Sequence, residues 1–183
     1  MFSPAALLVY GQVIFMGSIG LCHWLQPGTV RRGVPLSQFG VLRASRLAFM
    51  VGLVVSALCL VGASVRLLDT MPHVNGLQFV LGLSALCMIG IVVAPYATHH
   101  LSLYLLHVLF AWVGFATQVI AGFWLATLTD NWLNWLLYGL ILMGGTLALL
   151  SIKNLKILTS FALGQILIIN AFMLLLVRTI TMS

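Results

Sequence analysis

Glutamate does not occur in this chain, and aspartate occurs only at Asp69 and Asp130. Charged residues make up 5% of the 183 residues, while 62% are hydrophobic. A soluble domain carries about 25% charged residues, because it presents polar groups to water on every side. This composition cannot cover a water-facing surface, but it can cover a lipid-facing one. The chain is therefore expected to be an all-α integral membrane protein, placed in the cell membrane.

A membrane-spanning helix needs about 20 predominantly apolar residues. Six such runs follow one another, at about 4–25, 47–68, 77–94, 101–126, 132–152 and 157–177. Pro95 ends the third, since the residue before a proline is biased out of helix. The last two are separated only by "KNLK", which predicts a tight helical hairpin. The expected fold is a polytopic bundle of six helices forming a single transmembrane domain over residues 1–183. The longest linker, "QPGTVRRGVPLSQFGVLRAS", leaves no room for a soluble domain. Its Pro27-Gly28 and Gly33 are turn signals. Its partly apolar tail is expected to lie along the membrane surface.

The net charge of +6 is distributed as a topology signal rather than as a nucleic-acid footprint. With the N-terminus outside, the inner segments are 26–46, 95–100 and 153–156. They hold Arg31, Arg32, Arg43, Arg46, Lys153 and Lys156, six of the eight basic residues. Arg66, Arg178, Asp69 and Asp130 stay outside. The positive-inside rule thus favours both termini outside. Trp124, Trp132, Trp135 and Tyr138 cluster around the fourth-to-fifth turn and suit an interfacial belt. The N-terminus lacks a basic n-region, so no cleaved signal is expected. Cys22, Cys59 and Cys87 lie in apolar runs without CxxC spacing and are expected to pack as small hydrophobes.

Small and polar residues recur at helical spacing on two spans. Gly52, Ser56, Cys59, Ala63 and Arg66 share a face of the second. His100, Tyr104, His107, Ala111, Gly114, Gln118 and Gly122 share a face of the fourth. Small residues let membrane helices approach closely, and polar side chains prefer other helices to lipid. Helices two and four are accordingly expected at the centre, with an inward polar stripe that includes Ser56, Tyr104, His107 and Gln118. Gln12 and His23 fall on one face of the first helix. Gln165 and Asn170 point to different sectors of the sixth, so that one of them is expected to face a partner chain.

Three of the five histidines fall within "THHLSLYLLH", residues 98–107. His100 and His107 share a face but lie two turns, about 10 Å, apart. Ligands of one zinc ion must each reach within about 2 Å of it, so this helix cannot supply a two-histidine metal site. A haem differs, because its axial ligands come from separate helices. His23 ends the first helix on the same side as His99 and His100, and a pair of His23 with His100 or His107 would bracket a b-type haem. A metal-dependent hydrolase needs histidine and carboxylate together; under this topology only His73 shares a side with Asp69 and Asp130. A Ser56–His107 couple has no aspartate within reach. Ion-coupled transport is disfavoured, since no carboxylate lies near the midplane.

Pro27 and Gly28 after the first helix, the Ser-x-x-Gly turn of Ser37 and Gly40, and the paired His99 and His100 before helix four carry a resemblance. With them the chain resembles a bacterial and archaeal six-helix membrane family of unknown function. That family is distantly similar to the eukaryotic FGF-receptor-activating and damage-regulated autophagy modulator superfamily. The resemblance covers nearly the whole chain by architecture, through short motifs. It implies a six-helix bundle and an association with lipid or GPI-anchor handling and autophagy, and it assigns no catalytic residue. The very short third loop and the scarcity of acids depart from the family's pattern.

The functional expectation is a non-enzymatic membrane protein with no cofactor and no metal. It would bind membrane lipid, or act as an accessory subunit of another membrane protein, or self-associate. The alternatives are a haem b electron carrier using His23 with His100 or His107, and a lipid-modifying enzyme using His73, Asp69, His100 or His107.

Overall fold

The computed structural model describes residues 2–29, 35–70, 75–96, 100–129, 131–153 and 159–182. Arg31, Arg32, Gly33, His73, His99, Asp130 and Lys156 lie outside the described residues, as do the side chains of Asp69 and Lys153. Six helices are each long and apolar enough to cross a membrane. They are α1 (Pro4–Leu25), α2 (Arg46–Thr70), α3 (Asn75–Val93), α4 (Leu101–Thr129), α5 (Trp132–Lys153) and α6 (Thr159–Met182). A short 3-10 turn, Leu36–Gly40, precedes α2, and no strand occurs among the described residues. The protein is an all-α integral membrane protein.

Local chemistry sets the helix ends. Ser3 caps α1 by accepting from Ala6 N at 3.2 Å, and Pro4 occupies the first turn, where its missing N–H costs nothing. After α1 the chain turns through Gln26–Thr29, with Thr29 N donating to Gln26 O at 3.3 Å. Pro27 and Gly28 fill the central positions, and Gly28 has φ +88°. That is the pattern of a type II turn, whose third position favours glycine. α4 and α6 run past the apolar stretches that announce them, because backbone hydrogen bonding continues through polar residues at the membrane edge. Arg178 consequently sits inside the last turns of α6 rather than in a tail.

Consecutive helices pack on one another, and α6 closes the bundle against α1, α4 and α5. The small face of α2 lies on α1. A Cβ at Gly52 would run into Ser18, one at Gly11 would lie 2.9 Å from the Cys59 Cβ, and Ser56 Oγ donates to Gly11 O at 2.8 Å. α5 and α6 cross at Gly144 and Gly164, where a Cβ on either would come within 3 Å of the other's carbonyl oxygen.

Three expectations are corrected. The most enclosed helix is α6, with 50% of an 18-residue apolar window buried, whereas the corresponding window of α4 is 22% buried. The reason is the opposite face of α4, where Leu105, Leu109, Trp112, Ile120 and Phe123 are exposed and apolar. The linker before α2 does not lie along the surface: Leu36 and Phe39, three apart on one side of the 3-10 turn, are buried among Phe15, Ile19, Phe49 and Ala162. Neither amide of α6 is left for a partner chain. Gln165 Oε1 accepts from Leu36 N at 2.9 Å, and Asn170 Oδ1 accepts from Gln12 Nε2 at 2.8 Å. A backbone N–H carried inward by the turn needs an acceptor, and Gln165 supplies it.

Candidate functional site

The 3-10 turn, the start of α2 and the end of α3 frame a shallow crevice, open to the outside, whose enclosed volume is only about 10 Å³. Its walls are apolar: Gly40, Phe49, Met50, Ile91, Val92 and Pro95. Two hydroxyl-bearing residues, Ser37 and Tyr96, complete the lining. Each wall follows from local sequence. Phe49 and Met50 project from the first turn of α2, Ile91 and Val92 from the last turn of α3, and Pro95 stops α3 so that Tyr96 leaves the helix. Arg46 stands one turn before Phe49 and Met50, and both Arg46 and Arg43 are exposed.

Tyr96 belongs to a second group. The Tyr104 ring packs edge-on against it at 5.5 Å between centroids, and so does the His107 ring, also at 5.5 Å. His107 is buried, and its Nδ1 lies 2.7 Å from the Ala94 carbonyl oxygen. A carbonyl only accepts, so Nδ1 carries the hydrogen, and in the neutral ring Nε2 is then the unprotonated nitrogen. The carbonyl thereby satisfied is one that the end of α3 leaves without a helical partner. His107 thus pins the corner between α3 and α4.

Burial pushes the Tyr96 phenol above its ordinary range, and the neighbouring Tyr104, through its charge and a side-chain hydrogen bond, pushes the same way. A hydrogen bond that raises an acid's pKa is one its protonated form donates. The sign of the linkage follows. The folded form holds this proton more tightly than the unfolded chain, so the contribution is complete below about pH 10 and lost as pH rises further. In an alkaline titration followed by phenolate absorbance, the Tyr96→Phe variant is expected to lose a component that ionises above the ordinary tyrosine range. A wild-type curve with no component above that range would contradict this placement.

The other residues singled out from sequence are dispersed. Ser56 is buried against α1, and Gln12 bonds Asn170 near α6. Gln118 turns its Oε1 into the protein, where no described group bonds it, and Gly114 packs on Cys87. His23 is exposed on α1, which packs on α2 and α6; His107 faces α3. His100 is exposed at the start of α4. Among the described residues no three His, Cys, Asp or Glu side chains gather in a way that would hold a metal ion.

Sequence reasoning passed over Tyr96, Phe49 and the pair Asn134–Arg178. Pro95 was the available signal for Tyr96, because it marks where the chain leaves the helix. Asn134, a lone amide in an apolar run, was the signal for the pair.

No known family model, curated protein or solved structure matches this chain.

Proposed function

We propose that this integral membrane protein is a non-enzymatic lipid-binding protein, with part of an acyl chain held in the crevice between the 3-10 turn, α2 and α3. The observation that carries the reading is the crevice itself: apolar walls, hydroxyls at Ser37 and Tyr96, and exposed Arg43 and Arg46 at the same end of the bundle. With about 10 Å³ enclosed, the crevice engulfs no soluble ligand, since small-molecule sites occupy about 300–1,000 Å³; an acyl chain would lie along its open mouth. An anionic headgroup suits the two arginines, because basic side chains at a membrane edge attract anionic lipid.

The test is retention of phosphatidylglycerol, measured by native mass spectrometry of the full chain. Wild-type protein is expected to retain the lipid. Ile91→Trp, which fills the crevice, is expected to lower retention about tenfold, a loss of about 1.4 kcal/mol. Arg43→Gln with Arg46→Gln is expected to abolish the preference over phosphatidylcholine while leaving chain binding intact. Equal retention by wild type and Ile91→Trp, with both proteins folded, would refute the assignment of the crevice.

A further inference from the structure

At the opposite end of the bundle, Arg178 in α6 donates from Nε to Asn134 Oδ1 at 3.0 Å. One terminal nitrogen approaches Met182 Sδ at 3.8 Å, a weak acceptor. Asn134 is completely buried and is the third residue of α5. Among the described residues the guanidinium is therefore held by a neutral amide and a thioether, neither of which offsets its charge. It also lies on the first turn of α5, which contains no acidic residue. Asn131 caps that end, its Oδ1 accepting from Leu133 N at 2.9 Å and its carbonyl oxygen from Asn134 N at 2.9 Å, but an amide adds no negative charge and the helix dipole keeps that end partly positive. A cation placed there is repelled unless an anion joins it.

The surroundings indicate which anion. Trp132, in the same turn as Asn134, is 75% exposed, and Leu136, one turn on, is exposed as well. A tryptophan above an apolar helix face marks headgroup level. Arginine's planar fork suits the oxygens of a phosphate, with two nitrogens able to donate in parallel. We propose that Arg178, held by Asn134 beside the start of α5, binds the phosphate group of a membrane phospholipid. This site is separate from the crevice and does not depend on it.

The Nε–H resonance of Arg178 reads the proposal directly in the full chain, labelled on arginine and held in neutral detergent. Arg178→Gln assigns the signal, and the resonances of Arg43 and Arg46 report the crevice separately. Titration with dihexanoyl phosphatidylglycerol is expected to shift the Arg178 signal saturably, and dihexanoylglycerol, which lacks the phosphate, is expected to leave it in place. Inorganic phosphate is expected to bind at least about tenfold more weakly, since it lacks the apolar contacts. Absence of any shift, or an equal shift with dihexanoylglycerol, overturns the proposal; equal affinity for inorganic phosphate overturns the lipid source. Asp130 precedes Asn131 in sequence and is the carboxylate nearest in the chain. The Asp130→Asn variant is expected to respond as wild type does. A response seen only in that variant would mean that Asp130 supplies the anion, and would overturn the proposal.

Discussion

Replacing Gly144 with valine is expected to lower stability by about 2–3 kcal/mol, or roughly 5–10 °C in melting temperature for a chain of this size. A Cβ at Gly144 would lie 2.8 Å from the Gly164 carbonyl oxygen and 3.0 Å from the Ile168 backbone nitrogen. Gly164 faces the same constraint from the other side, with its Cβ 2.6 Å from Gly144 O and 2.9 Å from Ala148 N. These neighbours are backbone and cannot swing aside, so α5 and α6 must separate. In lipid no hydrophobic force drives helices together, and close packing does more of the work. The adjacent residue is the control. A Cβ at Gly145 meets only Ile168 Cδ1 at 4.0 Å, and one at Gly139 meets nothing. Gly145→Ala and Gly139→Ala are expected to be neutral or slightly stabilising, because alanine favours helix over glycine by about 1 kcal/mol. Thermal melts in a single detergent compare all three. If Gly144→Val melts with the controls, the crossing is not as close as described.

How far these contacts are foretold by sequence depends on whether they are local. The six spans are legible because an apolar run of sufficient length is itself the physical requirement for crossing a bilayer. The small face of α2 is legible for a similar reason: Gly52, Ser56 and Cys59 recur at helical spacing, and a face of small residues is one against which another helix can close. The same argument misjudges α4. Its stripe exists, with His107 against Ala94 and Gly114 against Cys87, but a stripe says nothing about how much of the remaining circumference a helix buries. That depends on how closely the neighbours pack, which is a tertiary property: among the described residues α4 and α6 each pack on three helices, but α6 packs tightly on α5 through the Gly144–Gly164 crossing.

Pairings between distant residues are less legible still. Gln12, Gln165 and Asn170 stand out as amides in apolar runs, and their need for partners is physical. Nothing local says that Gln165 meets a backbone N–H of the linker, or that Gln12 meets Asn170 across 158 positions. The histidine cluster shows the same limit. Helical spacing alone separates His100 from His107 and excludes a shared metal ion on one helix. That His107 instead holds the carbonyl at the end of α3, beside a tyrosine that lines the crevice, follows only from how α3 and α4 come together.

The 3-10 turn is where fold and proposed function meet, and Phe39→Ala is expected to disrupt both. Phe39 is 1% exposed and packs with Phe15, Leu36 and Phe49 at the bundle's end. Truncating a buried phenylalanine costs about 3–5 kcal/mol, through lost contacts and the cavity left behind. Phe79 on α3 is 71% exposed, so Phe79→Ala is expected to be near neutral and controls for the chemistry of the change. The neighbouring contact is smaller. Gln165→Leu removes the acceptor of Leu36 N and leaves a buried donor unpaired, at about 1–3 kcal/mol. Hydrogen exchange separates the two effects: Gln165→Leu is expected to expose the Leu36 amide selectively, and Phe39→Ala the whole of Leu36–Gly40. Because Ser37 and Gly40 form one wall of the crevice, Phe39→Ala is also expected to reduce lipid retention without touching any lining residue. Equal melting of Phe39→Ala and Phe79→Ala would show that the turn is not anchored by this ring. A destabilised Phe39→Ala protein that keeps its lipid would separate the turn from the lipid site, leaving α2 and α3 alone to hold the chain.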